Sequence, residues 1–302
     1  MAAASVLITG TSSGIGFATA LELGRAGHKV YATMRNPARA PELGDRASSE
    51  GLPISILPMD VDSDGSVEDG FASIFGRGEH IDVLVNNAGI ERHGSVEELP
   101  MEDFHAVMET NYFGALRCIR QVVPRMRERR SGCIINVSSV AGRIACSPLT
   151  AYTASKFALE ALSEALAGEM KPFGVRVAIV QPGIIETQMP HSVATPPPSR
   201  YRQVRQLGAL FRASLRTPVP PSLIADTIRN VIESGTWKLR HPCGPDALPF
   251  LGWRAAMTDE QWVEFNALDA EGFQKRVKDD FGLDLELAAQ DLPVEDALGA
   301  GN

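Results

Sequence analysis

The stretch Val6–Gly16, VLITGTSSGIG, constrains this chain more than any other. Val6, Leu7 and Ile8 form an apolar run rich in β-branched residues, which predicts a buried strand. Glycines follow at 10, 14 and 16, and Phe17 to Ala26 carry apolar residues at helical spacing. A strand that turns through glycines into a helix leaves backbone N–H groups pointing outward at the positive end of the helix dipole. Such a turn suits a phosphate or pyrophosphate. Glycine allows an approach that a side chain would block. The spacing Gly-x-x-x-Gly-x-Gly differs from the commoner Gly-x-Gly-x-x-Gly fingerprint, so on these residues alone an ordinary tight turn stays open.

The rest of the chain supplies the context such a turn requires. Strands alternate with helices: Lys29–Met34, Ile54–Met59, Asp82–Asn86, Cys133–Ser138 and Val175–Gln181 read as strands. Helices are predicted near Ser63–Phe75, over Pro100–Arg130 with a break near Glu109–Asn111, and over Tyr152–Lys171. This alternation predicts an α/β fold, a single doubly wound parallel sheet of Rossmann type flanked by helices. Beyond residue 190 the pattern loosens. Proline clusters punctuate a helix at Arg200–Arg216, a helix at Ser222–Glu233 with Ser222 as its N-cap, and a short strand at Thr236–Leu239. Thr258–Phe281 reads as one helix, and Gln290–Asn302 as a loose acidic tail. The expected division is a binding and catalytic domain over 1–255, with a substrate-pocket insertion about 188–222, and a helical C-terminal extension over 256–302.

Charge and composition narrow the partners. The net charge is −8, and the densest basic run is Arg127-Glu-Arg-Arg130, which reads as a helix end. Nucleic acid is not an expected partner. Cysteines at 118, 133, 146 and 243 show no Cys-x-x-Cys pairing, so neither a metal site nor a disulfide framework is expected. Reduced thiols fit a cytoplasmic protein. No apolar stretch has the length of a membrane span.

Chemistry-bearing residues stand at predicted strand ends. The second strand ends in Met34-Arg35, where a dinucleotide fold meets the adenosine ribose. A carboxylate there would repel a 2′-phosphate, whereas Arg35 can bind one through paired hydrogen bonds. NADP is therefore the expected cofactor, with NAD the lesser choice. Asp60-Val61 and Asn86-Asn87-Ala88-Gly89 follow the third and fourth strands. Tyr152 and Lys156 lie four apart on one helix face. Tyr152 is the only one of four tyrosines with such a lysine, and it lies downstream of Asn136-Val-Ser-Ser139.

Taken in order, these motifs resemble the short-chain dehydrogenase/reductase family over roughly residues 1–190. The segment Lys29–Arg35 is similar to the subgroup of 17β-hydroxysteroid and retinol dehydrogenases. The resemblance implies a catalytic set of Asn111, Ser139, Tyr152 and Lys156, with Ser138 as the fallback serine. It implies cofactor contacts from Gly10, Ser12, Ser13, Gly14, Ile15, Gly16, Arg35, Asp60 at the adenine, Val61, Asn87, Ala88 and Gly89. Tyr152 and Lys156 join them, as do Pro182, Gly183, Ile185 and Thr187 at the nicotinamide. Asn111 would hold a water that links the lysine to a proton relay. Pairing through the helices Tyr112–Arg130 and Tyr152–Lys171 would give a homodimer or homotetramer.

The chemistry expected is hydride exchange between NADP(H) and a hydrophobic secondary alcohol or ketone, or an aldehyde. Tyr152 would be the general acid/base and Ser139 a donor to the reacting oxygen. A lysine cation ~4 Å from the phenol, at an effective dielectric of ~20, favours the phenolate by about 4 kcal/mol, or roughly three pKa units. Phe211, Phe250, Trp253 and the apolar side of Arg200–Arg216 suggest an apolar pocket, although all could be core. A catalytically silent NADP(H)-binding regulator and an acyl-thioester ketoreductase remain alternatives.

Overall fold

The computed structural model describes residues 3–287. Seven strands form one parallel sheet: β1 (Ser5–Thr9), β2 (Lys29–Met34), β3 (Ile54–Pro58), β4 (Val83–Asn86), β5 (Gly132–Val137), β6 (Val175–Pro182) and β7 (Arg240–Cys243). Their order is β3-β2-β1-β4-β5-β6-β7. The chain winds outward from β1 to β3, then returns to β4 and winds the other way. The C-terminal ends of β1 and β4 are thus the switch point where sheets of this kind bind ligands.

The helices, in chain order, are α1 (Gly14–Arg25), α2 (Glu42–Glu50), α3 (Asp64–Phe75), α4 (Met101–Met108), α5 (Gly114–Arg129) and α6 (Thr150–Met170). They continue with α7 (Gln188–Ala194), α8 (Arg202–Ser214), α9 (Ser222–Ser234), α10 (Ala247–Ala255), α11 (Asp259–Asn266) and α12 (Ala270–Phe281). Alternation along β1 shows why the sheet is covered on both faces. Val6 and Ile8 join a core with Ile224 and Ile228 of α9, whereas Leu7 joins another with Phe71 of α3 and Val122 of α5. A strand buried on both faces reads in sequence as an unbroken apolar run.

One polar chain crosses the middle of this core. Asn86 Nδ2 donates to Asn136 Oδ1 (2.8 Å), Asn136 Nδ2 donates to Ser163 Oγ (2.8 Å), and Ser163 Oγ donates to Leu159 O (2.6 Å). Every link is buried, so β4, β5 and α6 are fixed in register by hydrogen bonds as well as by packing.

Several boundaries differ from those expected. The last strand is Arg240–Cys243, after Thr236–Leu239 rather than within it. It pairs only with β6, and such an edge strand tolerates Pro242, which has no N–H to donate. Ser222 is the first residue of α9 and does not cap it; Pro221, with φ −59°, holds the cap position. Thr258–Phe281 is two helices. Thr258 and Gln261 form a capping box on α11, and the Asp269 side chain accepts from Gly272 N to start α12. The break expected near Glu109–Asn111 is a π-helical turn, Glu109–Phe113, joining α4 to α5. Helices α2, α7 and α10 were not expected. The tail expected at Gln290–Asn302 lies outside the described residues. Among the described residues no helix is long and apolar enough to cross a membrane.

Candidate active site

The glycine turn is built by close approach. Gly10 has φ +70°, and a Cβ there would lie 2.7 Å from Ala88 Cα. The end of β1 is tied to the segment after β4 by the Thr9 hydroxyl, which accepts from Asn87 N (3.0 Å) and Ala88 N (2.9 Å). Asn87 Nδ2 donates back to the carbonyls of Thr9 and Gly10, both at 3.0 Å. Gly16 is also pinned here, since a Cβ would lie 2.3 Å from Gly10 O.

This turn forms one end of a cavity of about 640 Å³. The cavity passes Arg35 and Asp60 on one side and Ser139, Tyr152 and Lys156 on the other, and reaches Phe250 and Trp262. Every expected cofactor residue lines it except Gly16, whose place is in the packing of α1 beneath the turn. The group fits a dinucleotide in three ways. The α1 N-terminus has no acidic residue in its first turn, and its cap residue Ser13 makes no side-chain capping bond. Arg35 is exposed and makes no hydrogen bond among the described residues. Thr187 faces the turn, 3.2 Å from where a Gly14 Cβ would be.

The loop 183–187 is held from behind. Gly183 N donates to Cys243 O (3.0 Å), Ile184 N to Asp246 Oδ2 (2.8 Å) and Glu186 N to Val219 O (2.8 Å). Asp246 was not singled out from sequence, because its partner lies 62 residues away.

Tyr152 and Lys156 stand together on α6, 9% and 4% exposed. Lys156 Nζ donates to Val137 O (2.9 Å) and lies 5.6 Å from the Tyr152 ring centre. Ser139 begins the turn after β5. Its Oγ accepts from Ala141 N (3.1 Å), and its hydroxyl acts on the Tyr152 phenol. Ser138 Oγ instead packs where a Gly142 Cβ would be and has no hydrogen-bond partner among the described residues. Ser139 is therefore the serine brought to the tyrosine.

The expected electrostatics are reversed here. Burial pushes the Tyr152 phenol up to about 12; the Ser139 hydroxyl pulls it down and the Glu91 carboxylate adds to the rise. Burial pushes Lys156 down to about 8, against an upward pull from Glu160. Desolvation outweighs mutual attraction because neither charge has water to support it.

Asn111 is buried and does not line the cavity. Its Oδ1 accepts from Ile90 N (2.8 Å), and its Nδ2 donates to Ile90 O (2.9 Å) and Ser155 Oγ (2.9 Å). The amide is thus committed to joining the loop after β4 to the turn of α6 that carries Lys156.

The far wall is aromatic. Trp253 packs edge-on against Trp262, Phe265 and Phe281, with ring centres 5.4, 4.8 and 5.0 Å away. Trp262 Nε1 donates to Ala145 O (2.8 Å) in the loop after Ser139, which straps α11 over the site. Gln203 and Gln206 of α8 donate to Asn266 O and Leu268 O, both at 3.0 Å. Phe211, Phe250 and Trp253 line the cavity as expected; Trp262, Phe265, Phe273 and Phe281 were missed, although the density of aromatics over 250–281 was a visible signal.

Sheet order, glycine turn and switch-point cavity define a doubly wound α/β protein of the dinucleotide-binding class. A family model described as short chain dehydrogenase matches residues 4–197, and the chain belongs to that family of oxidoreductases. It is 33% identical over 272 residues to oxidoreductase BOA17 of Botryotinia fuckeliana, covering 87% of this chain and 98% of that one. It is 39% identical over 190 residues to an NADPH-dependent pterin aldehyde reductase of Arabidopsis thaliana, 63% of this chain and 78% of the relative. Among solved structures, a short-chain dehydrogenase from Streptomyces avermitilis superposes with a TM-score of 0.76 at 31% identity, covering 88% and 97% of the two chains. An actinorhodin polyketide ketoreductase with NADPH gives 0.70 at 29% identity, covering 80% and 96%.

Proposed function

We propose that this chain is an NADPH-dependent reductase of hydrophobic ketones or aldehydes, running in reverse on the corresponding alcohols. The observation that carries the reading is the group of Ser139 with the buried Tyr152 and Lys156, which lines one cavity with the glycine turn and the aromatic wall. When bound, the nicotinamide supplies or accepts the hydride. Ser12, Ser13 and the backbone from Gly10 to Ile15 hold phosphate at the α1 N-terminus. Arg35 selects the 2′-phosphate, and Asp60 and Val61 meet the adenine side. Pro182, Gly183, Ile185 and Thr187 orient the carboxamide, opposite Asn87–Gly89.

Tyr152 donates its phenolic proton to the carbonyl oxygen as it gains negative charge, and Ser139 donates a hydrogen bond to the same oxygen. A phenol pushed up by burial to about 12 keeps its proton at neutral pH, the form from which the reductive direction starts, but it is a weaker acid than a free phenol. Lys156, whose Nζ donates to Val137 O, lines the same cavity and would contact the cofactor there. Asn111 is a positioning residue that fixes the α6 turn bearing Lys156. The exposed Phe113 and Phe157 near the start of α5 and on α6 support homo-oligomer formation across these helices.

The test follows NADPH absorbance with a panel of apolar ketones and aldehydes. Turnover that falls about 10²–10⁴-fold in Tyr152→Phe, with NADPH binding kept, is the expected result. Tight NADPH binding without turnover of any carbonyl would instead favour a cofactor-binding regulator.

A further inference from the structure

Within the apolar chamber stands one carboxylate that the reaction above does not use. Glu91 follows the Asn87–Gly89 segment by two residues, is 8% exposed and lines the cavity. No lysine or arginine side chain pairs with its carboxylate among the described residues. The neighbouring Arg92 gives its guanidinium to Asp103 and to the backbone carbonyl of Glu91. A buried carboxylate that no lysine or arginine pairs is costly, and such groups concentrate where a ligand completes them.

Its partners leave it half satisfied. Glu91 Oε1 lies 3.0 Å from His93 Nδ1, and Glu91 Oε2 accepts from Ser192 Oγ at 3.1 Å. The single Ser192 proton has a closer claimant, Met189 O at 2.7 Å. A carboxylate has roughly four acceptor positions, so Oε2 keeps capacity to accept further, and both Glu91 and Ser192 line the cavity. His93 Nε2 is buried without a hydrogen-bond partner. The ring therefore has one visible task, which is to fix Oε1 and so aim Oε2. The cavity that Glu91 lines is also lined by the apolar Val193, Leu207 and Phe211. The carboxylate shares the cavity with Ser139 and Tyr152, where the reductase reading places the reacting carbonyl.

We propose that Glu91, aimed by His93, reads a hydrogen-bond donor on the substrate, a hydroxyl or an amine carried a few carbons from the reacting carbonyl on an otherwise apolar skeleton. This rests on the reductase reading for the carbonyl, but the recognition itself is a binding property. When the donor arrives, Ser192 turns its proton wholly to Met189 O, and Glu91 Oε2 accepts from the ligand instead. An apolar molecule without the donor leaves Oε2 short of partners in a dry chamber. That asymmetry is how a site built for a polar group rejects its deoxy analogue.

The experiment measures binding and turnover separately on the full chain. Calorimetry with the NADP-loaded protein compares 2-decanol with diols and amino alcohols that place the second group at successive carbons. The expected result is at least one spacing that binds about 10-fold tighter than 2-decanol, in keeping with a hydrogen bond to a charged group. Glu91→Leu should bring that ratio to about one, and Glu91→Gln should leave an intermediate ratio. Equal binding at every spacing in the parent overturns the proposal without recourse to a variant. So does a preference that survives in Glu91→Leu. The matching hydroxyketones and aminoketones are then followed with NADPH. A donor preference in binding with no turnover of any ketone leaves Glu91 as a ligand-reading residue and removes the reductase reading instead.

Discussion

Lys156 carries a folding cost that pH can expose. Its pKa is brought from 10.5 down to about 8, chiefly by burial. A fall of about 2.5 units corresponds to about 3 kcal/mol. Below about pH 8 both folded and unfolded chains hold the proton, and the folded chain bears the whole cost. Between about pH 8 and pH 10.5 the unfolded chain holds more protons than the folded one, so stability rises with pH. Lys156→Met has no proton to titrate there and serves as the reference. From about pH 7 to about pH 9.5 the parent should gain about 2 kcal/mol of unfolding free energy relative to that variant. Urea unfolding at each pH, extrapolated linearly, reads the difference. The offset between the curves at one pH also contains packing changes, but the difference in slope does not. Tyr152 works in the opposite sense only above about pH 10, because its phenol is raised toward 12. Parallel curves over the lower window would refute the claim that Lys156 is held against its own charge.

Three further substitutions probe the cofactor end, the core and the aromatic wall. Arg35→Ala should raise the KM for NADPH about 10-fold or more while leaving that for NADH nearly unchanged, as steady-state kinetics with both cofactors would show. Asn136→Leu should cost about 2–5 kcal/mol in urea unfolding, because it strands the buried amide of Asn86 and removes a donor to Ser163. Trp262→Ala should raise the KM for bulky apolar ketones about 10-fold, with less effect on small ones. It removes both the wall and the hydrogen bond to Ala145 O.

The halves of the site differed in how far they could be read from sequence. Gly10, Ser13, Tyr152 and Lys156 sit in short segments whose spacing is dictated by a turn or a helix, so local pattern placed the turn and the helix face, and the family resemblance singled out these residues on them. Local pattern also placed the first six strands, whose bounds fall within one residue of those expected, whereas the last lies four residues further on, at Arg240–Cys243. Asp246, Glu91 and Trp262 act across gaps of 62, 101 and 117 residues, to Ile184, Ser192 and Ala145. No local pattern marks such a partner. The α11–α12 break also escaped, since Asp269 can continue a helix or cap the next one, and only the hydrogen bond to Gly272 N decides.

Tyr152 and Lys156 are both shifted chiefly by burial. The aromatic wall and the strap from Trp262 to Ala145 belong to the same cavity that Tyr152 and Lys156 line. If that wall is what keeps water from Tyr152, the exclusion that makes an apolar chamber also raises the phenol and lowers the ammonium. A loosened strap would admit water, moving Tyr152 down and Lys156 up together. On the proposed mechanism, the acid limb of the chemistry and the fit for apolar substrates would then not be independent traits. A variant selected for a more open chamber should also shift its pH profile, and one that altered substrate size with no change in the profile would show that burial at Tyr152 is set by α6 and β5 alone.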